Sequence, residues 1–261
     1  MALTWSSCVL DAHGDVLGET DADTAQSTAS IGKVFLLCEA AERIVDGRLD
    51  PRTVLSRDSE LAVSDSGLWQ HLMQDSLPLV DACLLIGAVS DNWATNIVLD
   101  VVGIPAVRER AVALGCVHSG LHDRVRDARS EADPPNLSTA TARELAEVAR
   151  RIHVASSGDV VPGISTAGAE LVQSWLLAGV DLSMVAAPFH LDPLAHTDGA
   201  PRLWSKTGTD AGVRADMGVI WSYRDAVAYA AIANWDPRED RVAEAMQRMH
   251  EVGENIAART S

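Results

Sequence analysis

Nineteen arginines stand against two lysines in this chain, and the two are Lys33 and Lys206. Arginine does not give up its proton in a protein, whereas a lysine removed from water or crowded by another cation does. The chain therefore keeps the ammonium group where arginine chemistry will not serve, and in both places hydroxyls accompany it. Lys33 closes Ser30-Ile31-Gly32-Lys33, and Lys206 opens Lys206-Thr207-Gly208-Thr209. If Ser30 opens a helix, residues three apart share a face and the Lys33 amine reaches the Ser30 hydroxyl. A serine hydroxyl is a weak nucleophile until an adjacent base takes its proton. Backbone N–H groups at a helix N-terminus also favour the negative charge that develops on an attacked carbonyl oxygen. The chemistry these residues allow is acyl transfer to a serine.

A third element, Ser90-Asp91-Asn92, follows an apolar run and precedes another. All three residue types are favoured as helix N-caps, and a cap alone accounts for them. Read as chemistry, Ser90 shuttles a proton and Asn92 hydrogen-bonds a substrate amide. Around Lys206, a strand end and tight turn is the structural alternative. The functional one has Gly208 admitting substrate close to the backbone. Thr207, Thr209 and the Lys206 ammonium then hold a carboxylate.

The pattern of the chain indicates what positions these groups. Leu3–Leu10 reads as a strand, Ala12-His13-Gly14-Asp15 as a turn, and Val16–Glu19 as a returning strand. From Ser30, Val34, Leu37, Cys38, Ala41 and Ile44 take helical spacing, and Gly47 and Pro51 punctuate its end. Helical patterns fill the middle, over Val80–Val89, Asn92–Val102, Pro105–Leu114, Thr139–His153 and Thr166–Leu177. Residues 119–136 form a polar, charged loop among them. Strands return at Arg202–Ser205, Val213–Tyr223 and Ala226–Trp235, with a turn at Arg224-Asp225, and a last helix runs from Glu239 to Ala258. Strands at both ends and helices between them predict an α/β layer built from residues 1–45 and 200–261. A mostly helical region, 46–199, is inserted into it, with the active site between the two.

Composition limits the partners. The chain has 261 residues, 47% of them hydrophobic, and no apolar run long enough to span a bilayer. A formal net charge of −16 argues against nucleic acid, which is bound through cationic side chains. Cys8, Cys38, Cys83 and Cys116 lie far apart in apolar surroundings, so buried free thiols are expected rather than a metal site. No cofactor is called for. The opening residues, Met1-Ala2-Leu3-Thr4-Trp5-Ser6, lack the features of a secretory signal. The expectation is a cytoplasmic protein, or a secreted one if the sequence is a trimmed form.

Taken together, S-x-x-K, S-D-N and K-T-G in this order resemble the motif set of class A β-lactamases and penicillin-recognising serine hydrolases. The likeness extends through Ser30–Leu37, Ile86–Leu99 and Trp204–Trp221. It implies an α+β fold of β-lactamase/transpeptidase type, in which helices flank an antiparallel sheet and an all-helical region is inserted. It also implies a Ser30 acyl-enzyme, with Lys33 as acylation base kept partly neutral by Lys206, and Ser90 passing the proton to the leaving nitrogen. The N–H groups of Ser30 and Thr209 would form the oxyanion hole, at about 3–4 kcal/mol per donor. Arg214 is the candidate carboxylate-binding arginine. The substrate implied is a small amide or β-lactam bearing a carboxylate, in β-lactam catabolism or antibiotic resistance.

One stretch departs from the family. Where class A enzymes resemble one another in D-R-W-E-x-x-L-N, this chain has Asp123-Arg124-Val125-Arg126-Asp127-Ala128-Arg129-Ser130. Arg126 falls where the water-activating Glu belongs, and an arginine is no general base. Asp127 and Glu131 are the substitutes within reach along the chain. A non-lactam amidase, esterase or acyl-transfer enzyme is the alternative activity. An acyl-trapping, penicillin-binding protein without turnover is the alternative of another class.

Overall fold

The strand Ala226–Asn234 (AVAYAAIAN) is apolar along both faces, which suits a strand covered on both sides. The computed structural model describes residues 2–195, 201–222 and 225–260 and places that strand at the centre of a five-stranded antiparallel sheet. In chain order the strands are β1 (Thr4–Asp11), β2 (Val16–Thr20), β3 (Gln26–Ser27), β4 (Val54–Ser56), β5 (Ser76–Pro78), β6 (Gly120–Leu121), β7 (Ser138–Ala140), β8 (Arg202–Asp210), β9 (Val213–Trp221) and β10 (Ala226–Asn234). The helices are α1 (Lys33–Val45), α2 (Leu79–Val89), α3 (Asn92–Val102), α4 (Ile104–Ala113), α5 (Ala142–Ser156), α6 (Thr166–Leu177) and α7 (Val242–Thr260). The large sheet runs β2-β1-β10-β9-β8, which leaves β8 at an edge. Tyr223 and Arg224, and with them part of the turn expected there, lie outside the described residues, as do residues 196–200, where the 46–199 and 200–261 spans meet.

Alternation along the strands divides the core in two. Cys8, Leu10, Trp204, Ala215, Met217, Ala228, Ala230 and Ile232 point to the side shared with α1 and α5. Leu203, Ile220, Tyr229, Ala231 and Ala233 point to the other, where α7 lays down Ala245, Met249 and Ile256. The α7 spacing of four and seven residues gives one apolar stripe. Helix α5 is capped by the Thr141 side chain, which accepts from Glu144 N.

Two elements differ from the sequence reading in ways that bear on the site. Ser30 lies in a 3-10 turn, Ala29–Gly32, that leads into α1, so α1 begins at Lys33. The glycine at 32 allows this tight entry: a Cβ there would sit 2.5 Å from the Ser138 Cβ. The strand predicted to stop at Ser205 continues to Asp210, so Lys206, Thr207 and Gly208 lie within β8 and not after it. Pairing with β9 extends it, with Thr207 opposite Asp216 and Thr209 opposite Arg214.

Candidate active site

The turn that carries Ser30 is held in a conformation it does not adopt freely. Ala29 has φ +47°, a left-handed geometry costing an alanine about 1–2 kcal/mol. Its carbonyl accepts from Ser138 Oγ at 2.6 Å, and Ser138 Oγ is also 2.8 Å from Thr28 Oγ1. Strand β7 thus fixes the turn from behind, while Ser30 itself is half-buried and faces a cleft of about 570 Å³. On the other side Gly208 meets the turn backbone to backbone. A Cβ at Gly208 would fall 2.2 Å from Thr28 O and 3.2 Å from Ser30 N. The open side of this glycine is filled by the protein's own turn, and not by space for a substrate.

Lys33 is completely buried below the cleft floor. Its Nζ lies 2.7 Å from Ser90 O, 2.8 Å from Asn92 Oδ1 and 3.1 Å from Ser90 Oγ. All three neighbours are uncharged, in contrast to Glu39 on the same helix, which is paired with Arg43 and Arg110. Burial pushes the Lys33 amine well below its usual range and the charge of Lys206 adds to this, against the opposing pull of Asp91 and Asp65. In the neutral amine two N–H groups serve the carbonyl oxygens Ser90 O and Asn92 Oδ1. The lone pair is then left for a hydroxyl. Asn92 is itself oriented by donating from Nδ2 to Ser64 O at 3.0 Å.

Ser90 ends α2 in the left-handed region, with φ 55° and ψ 36°. Asp91 then caps α3 through Ala94 N at 2.9 Å, and its other oxygen takes the N–H groups of Leu68 and Trp69, both at 2.8 Å. The capping role foreseen for this tripeptide thus belongs to Asp91, and it leaves the side chains of Ser90 and Asn92 at the cleft. Lys206, also buried, donates to Thr207 O at 2.8 Å. Burial lowers its pKa to about 8, with Asp181 and Asp216 pulling the other way.

The structure brings Ser30, Ser90, Asn92, Lys206, Thr207 and Thr209 to one cleft, with Lys33 beneath them. Asp127 lines it too, its Oδ1 accepting from Ser64 N and Ser64 Oγ at 3.0 and 2.6 Å. Glu131 and Arg214 are not among its lining residues. Arg214 donates to the carbonyls of Val213 and Asp210 and lies 5.9 Å from the Trp235 ring centroid. Trp69 and Trp93, read from sequence as possible cleft borders, do not line it either.

Arg126 does line the cleft, within a network of its own. Its guanidinium pairs with Asp123 at 2.7 Å and Asp133 at 3.0 Å, and Arg129 meets Asp123 at 2.6 Å. Asn96 hooks the same loop by accepting from Val125 N and donating to Val125 O. Ser64 and Asn96 escaped the sequence reading, and Ser138, which reads from sequence as part of an N-cap with Asn136 and Leu137, instead holds the Ser30 turn while Thr141 caps α5. Each is a single polar residue whose importance comes from a partner tens of positions away. The four cysteines are free and buried, and no metal-binding cluster occurs among the described residues.

Residues 4–258 match the model of the beta-lactamase enzyme family. No curated protein sequence matches. A β-lactamase from Sphaerobacter thermophilus superposes with a TM-score of 0.83 at 21% identity, covering 100% of this chain and 92% of that one. PBP-A superposes at 0.76 and 17% identity, covering 98% and 89%. A chromosome-encoded β-lactamase mutant of Vibrio parahaemolyticus gives 0.79 and 18%, covering 99% and 95%. At these identities the superpositions establish the fold.

Proposed function

We propose that this chain, which belongs to the beta-lactamase enzyme family, opens a carboxylate-bearing β-lactam by acylation of Ser30, with Lys33 as the base. The observation that carries this reading is the Lys33 environment: a buried amine among uncharged partners, in contact with the Ser90 hydroxyl, beneath the cleft that Ser30 faces. The Ser30 Oγ attacks the lactam carbonyl carbon while its proton passes to Lys33 Nζ. The N–H groups of Ser30 and Thr209 receive the developing oxyanion. The C–N bond then breaks, the nitrogen takes the Ser90 hydroxyl proton, and Lys33 returns its proton to Ser90. Lys206, Thr207 and Thr209 hold the substrate carboxylate. Arg214 joins them only if its guanidinium leaves the two carbonyls it now contacts.

Hydrolysis of the resulting ester needs a base for water. Arg126 cannot act as one. Asp127 is the loop carboxylate at the cleft, and Glu131 is away from it. Asp127 or the Lys33 lone pair therefore takes the water proton, and deacylation is the slower half-reaction. A protein that is acylated and held is the second reading, and the commitment of Arg126 to Asp123 and Asp133 is what favours it.

Intact-mass measurement after mixing with benzylpenicillin tests both. Ring opening expels no fragment, so the adduct carries the whole ligand mass. Gain followed by loss means turnover, and persistent gain means trapping. An adduct that survives Ser30→Ala overturns the nucleophile assignment. An open-chain ester or amide that acylates the chain with loss of its leaving group, where penicillin does not, favours the amidase or esterase activity.

A further inference from the structure

Two stretches of the cleft wall that belong to distant parts of the chain are joined at its rim. Ser64 stands between β4 and β5 and Asp127 on the 119–136 loop, and both line the cleft and are exposed. The Ser64 N–H and hydroxyl both donate to Asp127 Oδ1, at 3.0 and 2.6 Å. Hydrogen bonds to a charged acceptor are shorter and stronger than neutral ones. Asp127 has no ion pair among the described residues, because its neighbours Arg126 and Arg129 are turned to Asp123. Its carboxylate is left to the serine of the other stretch. Where the two come within hydrogen-bond distance, the cleft ends.

Helix α3 keeps the two stretches within reach of each other. Asn92 and Asn96 lie four apart on one face of it, and both are buried. Asn92 donates to Ser64 O at 3.0 Å. Asn96 donates to Leu61 O at 3.2 Å and to Val125 O at 2.9 Å, and accepts from Val125 N at 2.8 Å. The main chain on either side of the Ser64–Asp127 contact is therefore fastened to the helix from below. The contact itself is open to water, which can take the place of either partner. It is the one part of this clasp that an entering ligand can separate without disturbing buried groups.

In the reaction set out above, the substrate carboxylate lies on β8, against Lys206, Thr207 and Thr209. In a penicillin that carboxylate is attached on the nitrogen side of the reacting carbonyl, so the acyl substituent extends from the other side, away from β8. Contacts lead that way from the base: Lys33 Nζ to Asn92, Asn92 to Ser64, and Ser64 to Asp127. We propose that the Ser64–Asp127 pair is a specificity-determining contact at the acyl end of the cleft. While bonded it admits slender acyl groups, and a bulky branched one reacts only after the pair has parted. This assignment rests on the serine-hydrolase reading.

Benzylpenicillin and piperacillin make the test, since they share the bicyclic nucleus and its carboxylate. They differ in the acyl group, which in piperacillin is branched at its α-carbon and far larger. Full-length protein is mixed with each, and the initial rise in mass, before deacylation contributes, gives two acylation rates whose ratio is the readout. Ser64→Ala removes the hydroxyl bond and keeps the main-chain carbonyl that Asn92 uses. It should raise the piperacillin-to-benzylpenicillin ratio by at least about fivefold. Asp127→Ala, which removes both bonds, should raise the ratio further. Ser64→Thr, which keeps a hydroxyl, should stay within about twofold of the wild-type ratio. A general loss of stability or activity lowers both rates together and leaves the ratio where it was. A ratio unmoved by both alanine variants overturns the proposal, as does a wild-type chain that takes piperacillin as fast as benzylpenicillin. If neither penicillin adds to the wild-type chain, the hydrolase reading fails and this assignment falls with it. Mass gain with an unmoved ratio is the failure of this assignment alone.

Discussion

A lysine can act as a base only where its proton is easily lost, and Lys33 meets that condition through burial, the nearness of Lys206 and the lack of a carboxylate partner among the described residues. Lys33→Arg supplies a cation that does not deprotonate. It should slow acylation by about 10³-fold, within the usual range for removal of a general base, as read from the rate of mass gain. In the proposed reaction the second lysine acts with its proton on. Because the Lys206 pKa is depressed to about 8, the ammonium that attracts a carboxylate is present below that pH and lost above it. Acylation by a carboxylate-bearing penicillin should therefore fall by about tenfold per pH unit once pH exceeds the Lys206 value. Lys206→Arg should move that limb beyond the measurable range, so a limb that stays in place would assign the titration to another group.

Among the elements, the 119–136 loop is fastened by charge more than by apolar packing. Asp123 is buried, which opposes ionisation, yet hydrogen bonds from Arg126, Arg129 and the Arg124 backbone hold its carboxyl below the usual range. A carboxyl so lowered stabilises the fold at neutral pH, and this contribution is lost as pH falls through its folded value. Asp123→Asn should cost about 1–3 kcal/mol in urea unfolding and open the loop to protease near Arg126, with α5 unaffected. The helices were legible in the sequence through their apolar spacing, and α3, α5 and α6 also carry side-chain caps at Asp91, Thr141 and Ser165. The α3 start at Asn92 and the α6 start at Thr166 coincide with their predicted positions. Strand β8 was cut short because pairing with β9, and not local propensity, carries it through Gly208 to Asp210. Ser30 reads as helical by pattern, but contacts with Ser138 from another part of the chain tighten its turn. The three motifs were visible as residue types at fixed spacing, whereas the cleft walls at Ser64 and Gly179–Asp181 depend on contacts that no local pattern encodes.

For the molecule as a whole, a net charge of −16 surrounds a site proposed to take an anion. Long-range repulsion is screened by salt while the buried lysines act at contact distance. The second-order rate of acylation by an anionic penicillin should thus rise, by roughly twofold to fivefold, between low and physiological ionic strength. A rate that falls with salt would mean that the cleft's own field outweighs the shell. The sheet meets the nucleophile turn at Gly208, where the Thr28 carbonyl leaves no room for a methyl group. That contact makes the outer strand a ruler whose zero mark is position 30. In the proposed reaction, a ligand laid along its free edge would arrive at the Ser30 oxygen at an offset set by this contact. Enlarging this residue to alanine would shift every bound molecule by the same small step, and misalign the chemistry while leaving each reacting group intact.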